Sequence, residues 1–196
     1  MRYLTIFAIP CACMTLVVGC ASTPASRYYT LSAATTTAAT LSDLSVVVGP
    51  VSVPAMVDRP QIVVTVGPNQ VQMDEFNRWA SPLQNSIARA VAENLVALLG
   101  TPHVTLSPQA MSADVGYRAV IEVQRFESTP GEAATLDAVW TVRRMKDGRT
   151  QTGRTTVREA VQEKDYDALA AAHSRAVARL SQDLADAVRA LDRSGQ

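Results

Sequence analysis

The sequence predicts a single α+β domain in which two long amphipathic helices pack on one face of a mainly antiparallel sheet. Three observations carry this. Two long stretches, one after Ser81-Pro82 and one closing the chain, place apolar residues at three- and four-residue spacing. The other apolar segments are short, Val-rich or strictly alternating, as strands require. Turn signals such as Gly67-Pro68-Asn69, Pro130-Gly131 and Lys146-Asp147-Gly148 join neighbouring segments closely enough to make hairpins.

The first element is not part of the fold. Met1-Arg2 is a short cationic start, Leu4 to Val18 is apolar and uncharged, and Val17-Val18-Gly19-Cys20 ends the segment with a small residue before a cysteine. Residues 1–19 therefore read as a secretory signal, and Cys20 as the thiol that takes a diacylglycerol and becomes the lipidated N-terminus. A membrane-spanning anchor is the alternative reading. Spanning needs about 20 apolar residues, and this run is shorter and interrupted by Pro10. Of the three cysteines, Cys11 and Cys13 leave with the signal, so the mature chain has no thiol for a disulfide, a redox pair or a metal. Ala21 follows Cys20, where an Asp would mark inner-membrane retention under the enterobacterial sorting rule, so residence in the outer membrane is expected.

Removing residues 1–19 from 196 leaves 177, the size of one domain. Losing Arg2 leaves 17 basic against 18 acidic side chains, a balance with no field to attract nucleic acid or anionic lipid. Attachment to the membrane should then come from acyl chains on Cys20, which hold firmly when there are two or more.

Residues 20–43 read as a lipidated N-terminus and an Ala/Thr-rich tether, with strand-forming Arg27-Tyr28-Tyr29-Thr30-Leu31 inside it and a flexible loop over 32–40. The periplasmic globular domain is expected over 44–196. Residues 45–53 and 61–66 read as strands, and 71–73 as a short hairpin partner. The first helix has Ser81 as its cap, Pro82 at the first helical position, a stripe of Leu83, Ile87, Val91, Leu95 and Leu98, and Gly100 as the C-cap. In 117–127, Ala119, Ile121 and Val123 face one way and Arg118, Glu122 and Gln124 the other. Leu136, Ala138, Trp140 and Val142 then share a face opposed by Asp137, Thr141 and Arg143, and 151–159 forms the next strand, with Arg154, Thr156 and Arg158 or the alternate set outward. The last helix starts at Asp165 or Asp167, buries Leu169, Ala172, Val177, Leu180, Leu184, Val188 and Leu191, and pairs Arg179 with Asp183 on its wet side.

No catalytic motif stands out. His103 lies in a loop and His173 among helix alanines, neither at ligand spacing from another His or a carboxylate. Glu163, Asp165 and Asp167 lack the turn glycine and closing Glu of a calcium loop. The reading is a protein that is not an enzyme and takes no metal or cofactor. Two segments invite another use: Arg59-Pro60 before a Val-rich strand, and Arg78-Trp79-Ala80-Ser81-Pro82-Leu83 before the first helix. Trp79 fits either a hydrophobic staple or, with Arg59 and Arg78, an anchor for a partner or a second copy.

Those residues carry a resemblance. The lipobox, Arg27-Tyr28-Tyr29-Thr30-Leu31, Val48-Gly49-Pro50-Val51 with Pro54, Asp58-Arg59-Pro60-Gln61-Ile62-Val63, Arg78-Trp79-Ala80 with Pro82-Leu83, and Arg125-Phe126 followed by Gly131, Leu136, Ala138 and Trp140 occur in order. This set resembles the PqiC/YmbA-like family, the auxiliary lipoprotein component of ABC-type transport systems. The resemblance implies a non-enzymatic accessory subunit in the outer membrane, facing the periplasm. Its implied partner is an ABC transporter or MCE-domain protein that moves lipids between the two membranes. No catalytic residue carries over. An adaptor is one reading; a lipid carrier with its own apolar cavity and a stand-alone structural lipoprotein are the alternatives.

Overall fold

The computed structural model describes residues 24–35, 41–107 and 115–194. Cys20 and the signal segment lie outside them. Eight strands and two helices follow in the order β1 (Arg27–Tyr29), β2 (Val46–Ser52), β3 (Gln61–Gly67), β4 (Gln70–Trp79), α1 (Leu83–Leu99), β5 (Val104–Leu106), β6 (Tyr117–Thr129), β7 (Ala133–Arg144), β8 (Thr150–Ala160) and α2 (Tyr166–Arg193).

Both helices form where the spacing predicts. The expected stripes are buried throughout, from Leu83 to Leu98 on α1 and from Leu169 to Leu191 on α2. Asp165 caps α2 by accepting from the Ala168 amide at 2.7 Å, and Gly100 closes α1 in the left-handed region at φ 64°. The start of α1 differs from expectation by one position. Pro82 is the cap residue, and the Ser81 hydroxyl bonds the Ser86 hydroxyl at 2.7 Å instead of a backbone amide. Asp183 also departs: it accepts from Thr155 at 2.5 Å, tying α2 to β8 in place of the expected pair with Arg179.

The sheet is mixed, which corrects the mainly antiparallel expectation. The β3–β4, β6–β7 and β7–β8 pairs are the antiparallel hairpins that the turn residues announce. The β1–β4, β2–β5, β2–β6 and β3–β6 pairs are parallel. Parallel neighbours need long crossovers, and here the β3–β4 hairpin and α1 supply one between β2 and β5. No local residue pattern announces such a pairing. The sheet curls so that β6 carries β7 along one edge, while its other edge is shared by β2 and, at Val64 opposite Ser128, by β3.

Within the N-terminal segment, residues 27–35 are more structured than a tether, while residues 36–40 of the expected loop lie outside the described residues. Tyr29 and Leu31 are buried. Beyond them the Ser32 amide donates to Ser174 on α2 at 3.2 Å, and the Ala34 and Thr35 amides both donate to the Asn94 side-chain oxygen at 3.1 Å. Asn94 is itself buried on α1 and donates to Ser181 on α2 at 3.3 Å. The Ala/Thr composition conceals this because the docking groups are backbone amides, and small side chains are what let them approach the helices.

Asp137, expected on the wet face, is 3% exposed, covered by the Arg154 guanidinium, whose Nε donates to it at 2.8 Å. That hydrogen bond and charge hold its carboxyl below the usual carboxylate range. Its outward neighbours across the strand, Arg154, Thr156 and Arg158, are exposed.

Trp140 is buried, and directly across the ladder stands Gly153. A Cβ at Gly153 would lie 2.2 Å from the Trp140 ring. Gly153→Ala is therefore expected to destabilise the domain by about 2 kcal/mol or more, as overpacking does, because Trp140 is also held through its Nε1–H to Thr155 at 3.0 Å. Urea unfolding of the variant checks this; an unchanged midpoint would show that the ring shifts freely.

Candidate functional site

The structure brings two of the three proposed contact residues together. Gln61 opens β3 opposite Arg78 near the end of β4, so the segment before one strand meets the segment after the other. The Trp79 amide donates to the Pro60 carbonyl at 2.7 Å and fixes that junction. Between the two walls lies a cleft of about 460 Å³. Asp58, Arg59 and Pro60 form one side; Trp79 through Pro82, with Gln84 from the first turn of α1, form the other.

Trp79 is 6% exposed. Its ring meets Phe126 of β6 edge-on at 6.0 Å and His173 of α2 at 6.3 Å, and it belongs to the same buried cluster as Leu83 and Ile87 of α1, the core role that the staple reading expects. Only a margin of the indole reaches the cleft. Arg59 is half-buried, with one terminal nitrogen donating to the Met73 sulfur and its Nε buried without a partner among the described residues. Arg78 is elsewhere: its Nε donates to the Glu75 carbonyl at 2.8 Å and its charge pairs with the Glu75 carboxylate at 3.2 Å. Successive strand residues point to opposite faces, so Arg78 and Trp79 cannot serve one surface.

The bend that sets this junction comes from Asp74. Its carboxylate accepts from the Phe76 and Asn77 amides at 2.8 Å each and from the Tyr166 hydroxyl at 2.8 Å, pinning the irregular stretch of β4 to α2. Burial alone would raise the Asp74 pKa; the hydrogen bonds from Tyr166 and the backbone outweigh it and leave the carboxyl below its ordinary value.

A larger cleft, about 540 Å³, lies at the far end of α2. Its polar groups are committed to holding that end in place. Arg144 donates to the Leu191 carbonyl at 2.7 Å and to Asp147 at 3.0 Å, and the Tyr117 hydroxyl donates to Asp192 at 3.0 Å. A cation against the last carbonyls of a helix is a stabilising arrangement. The Arg144 hydrogen bond holds the Asp147 carboxyl at about 2.

His173 is the residue whose setting the sequence concealed. Among helix alanines it reads as structural or surface, and it is fully buried. Its ring stacks on Phe126 at 3.9 Å and its Nε2 shares a hydrogen bond with Ser128 at 2.8 Å. Among the described residues, no group of three or more His, Cys, Asp and Glu side chains is placed to hold a metal ion, and no helix is long and apolar enough to cross a membrane.

A family model, ABC-type transport auxiliary lipoprotein component, matches residues 29–185. Among solved structures, the fold is similar to that of a Xanthomonas campestris protein whose family model is DUF330, at 21% identity and a TM-score of 0.71, over 87% of this chain and 100% of that one. It is also similar to an uncharacterized protein at 20% identity and a TM-score of 0.69, over 84% of this chain and 99% of that one. No curated protein matches the chain.

Proposed function

The chain belongs to the family of ABC-type transport auxiliary lipoprotein components, and from that premise we propose that it is a non-enzymatic accessory subunit of an ABC/MCE-type system moving lipids between the envelope membranes. In this reading Cys20 carries the acyl anchor, the outer membrane holds it, and the domain faces the periplasm. The observation that carries the proposal is the extent of the family match, which spans nearly the whole chain beyond the expected signal and lipidation site.

An adaptor is favoured over a carrier by how the space between helices and sheet is filled. Leu83, Ile87 and Leu95 from α1, Leu169, Leu180 and Leu184 from α2, and Ile121 and Leu136 from the sheet are all fully buried there. A lipid carrier would need that space. The Arg59–Trp79 cleft is the surface proposed for the protein partner, with Arg78 on the opposite face of β4.

Cys20 tests the premise of anchoring. Labelled palmitate is expected to be incorporated by the wild-type chain and lost in Cys20→Ala, because the other two cysteines, Cys11 and Cys13, lie within the signal. On a density gradient the acylated protein is expected with outer-membrane markers, and affinity purification is expected to bring down transport subunits. Retained label in the variant refutes acylation at Cys20, migration with inner-membrane markers refutes the location, and purification without any transport subunit refutes the adaptor role.

A further inference from the structure

We propose that the tip of the β3–β4 hairpin is a second membrane contact, resting on the bilayer surface beside the acylated N-terminus. The proposal rests on the reading that Cys20 is acylated.

The geometry comes from the parallel pairing of β1 with β4. Arg27 stands beside Asn77, so moving back along β1 toward the N-terminus and back along β4 toward the hairpin turn is moving the same way. From Asn77 to Gln70 at the turn is seven residues, and from Arg27 to Cys20 is also seven. A seven-residue stretch spans at most about 25 Å. The tether therefore allows Cys20 to reach about as far as the hairpin tip and little beyond. With acyl chains at Cys20 in the bilayer, the tip lies within reach of the surface.

The hairpin is built for that position. β3 joins β6 at Val64 opposite Ser128, one residue from the end of β6, so the chain beyond Val64 projects past the sheet. On that projection Val66 and Val71 are 50% and 41% exposed. From Pro60 to Met73 there is no charged residue. The exposed tip carries two valines beside the polar, uncharged side chains of Asn69, Gln70 and Gln72. Such a tip enters the headgroup region by burying the valines while the amides stay among the headgroups, with no need of anionic lipid, which suits a domain whose net charge is near zero.

The test uses the acylated full chain in vesicles of phosphatidylethanolamine and phosphatidylglycerol with brominated acyl chains, which quench nearby tryptophan. Trp79 and Trp140 are 6% and 7% exposed and give a constant background. Val71→Trp adds a reporter to the hairpin. Met145→Trp adds one to the β7–β8 turn, beside Gly116 and at the opposite end of β6. The added fluorescence of Val71→Trp is expected to fall by about half or more, with that of Met145→Trp unchanged. A chain that floats with the vesicles but leaves Val71→Trp unquenched overturns the hairpin contact and leaves the anchor standing. A chain that does not float overturns both. Equal quenching at both sites overturns the contact as well. A blue shift of Val71→Trp that grows with protein concentration in detergent, without quenching in vesicles, gives the hairpin to a second copy and does the same.

Discussion

Truncating Trp79 to alanine is expected to cost the domain about 3–5 kcal/mol, the loss typical of a buried aromatic. The indole is 6% exposed and sits edge-on to both Phe126 and His173, so its removal opens a cavity where β4, β6 and α2 meet. Edge-to-face contacts add about 0.5–1.5 kcal/mol beyond the area they bury. Cys20 lies far from this cluster in sequence, so the variant should still be exported and acylated. Its melting temperature is expected to fall by roughly 6–20 °C, and the fraction that remains folded should still capture partner proteins through Arg59. If Trp79 instead works as a surface anchor, the melting temperature will barely move while association weakens by about 2 kcal/mol or more. Thermal unfolding and capture from envelope extracts, made on the one variant, separate the two.

Helices and hairpins were legible in the residues because their cause is local. The stripes of α1 and α2 follow from a 3.6-residue period, and β6, β7 and β8 follow from alternation broken by Pro130-Gly131 and Lys146-Asp147-Gly148. The hidden features depend on partners far away in the chain. β4 runs to Trp79, well beyond the expected short return at 71–73, because Asp74 redirects it and Tyr166 on α2 holds Asp74. β5 is three residues pressed against β2, too short to announce itself. The parallel pairings depend on crossovers.

The candidate site divides in the same way. Arg59 and Trp79 meet because Gln61 pairs with Arg78, a register that no window of the sequence contains. The separation of Arg78 from Trp79, in contrast, follows from strand alternation, once residues 78 and 79 are known to lie in a strand. The uncharged run from Pro60 to Met73 is visible by inspection. Its meaning appears only when β1 is seen to pair with β4 in parallel, which places the tip beside the tether.

Acidification from pH 7 to pH 4.5 is expected to remove about 2–3 kcal/mol of stability through His173 alone. Burial is the cause: the side chain is fully enclosed, and its pKa is pushed down to about 3 from the ordinary value of 6.5. The folded protein thus keeps a neutral ring down to about pH 3, while the unfolded chain takes up a proton near pH 6.5. Between those values the unfolded state holds one more proton, so stability rises with pH by up to about 1.4 kcal/mol per unit. The contribution is complete above pH 6.5 and is lost progressively as pH falls toward 3. Asp74, Asp137 and Asp147 have lowered pKa values too, but their contributions decline only as the pH approaches the ordinary carboxylate value of 3.8, which leaves the interval from 6.5 to 4.5 to the imidazole. Within the fold, the Ser128 hydrogen bond is satisfied by a neutral ring with its proton on Nε2, which leaves Nδ1 a bare lone pair instead of a stranded N–H. His173→Phe keeps a ring on Phe126 and gives up that hydrogen bond, at a cost of about 1 kcal/mol. Urea unfolding of both proteins at pH 7, 5.5 and 4.5 is expected to show a falling stability in the wild type and a much flatter profile in the variant. Parallel losses in the two proteins would place the proton uptake at another group and overturn the role assigned to His173.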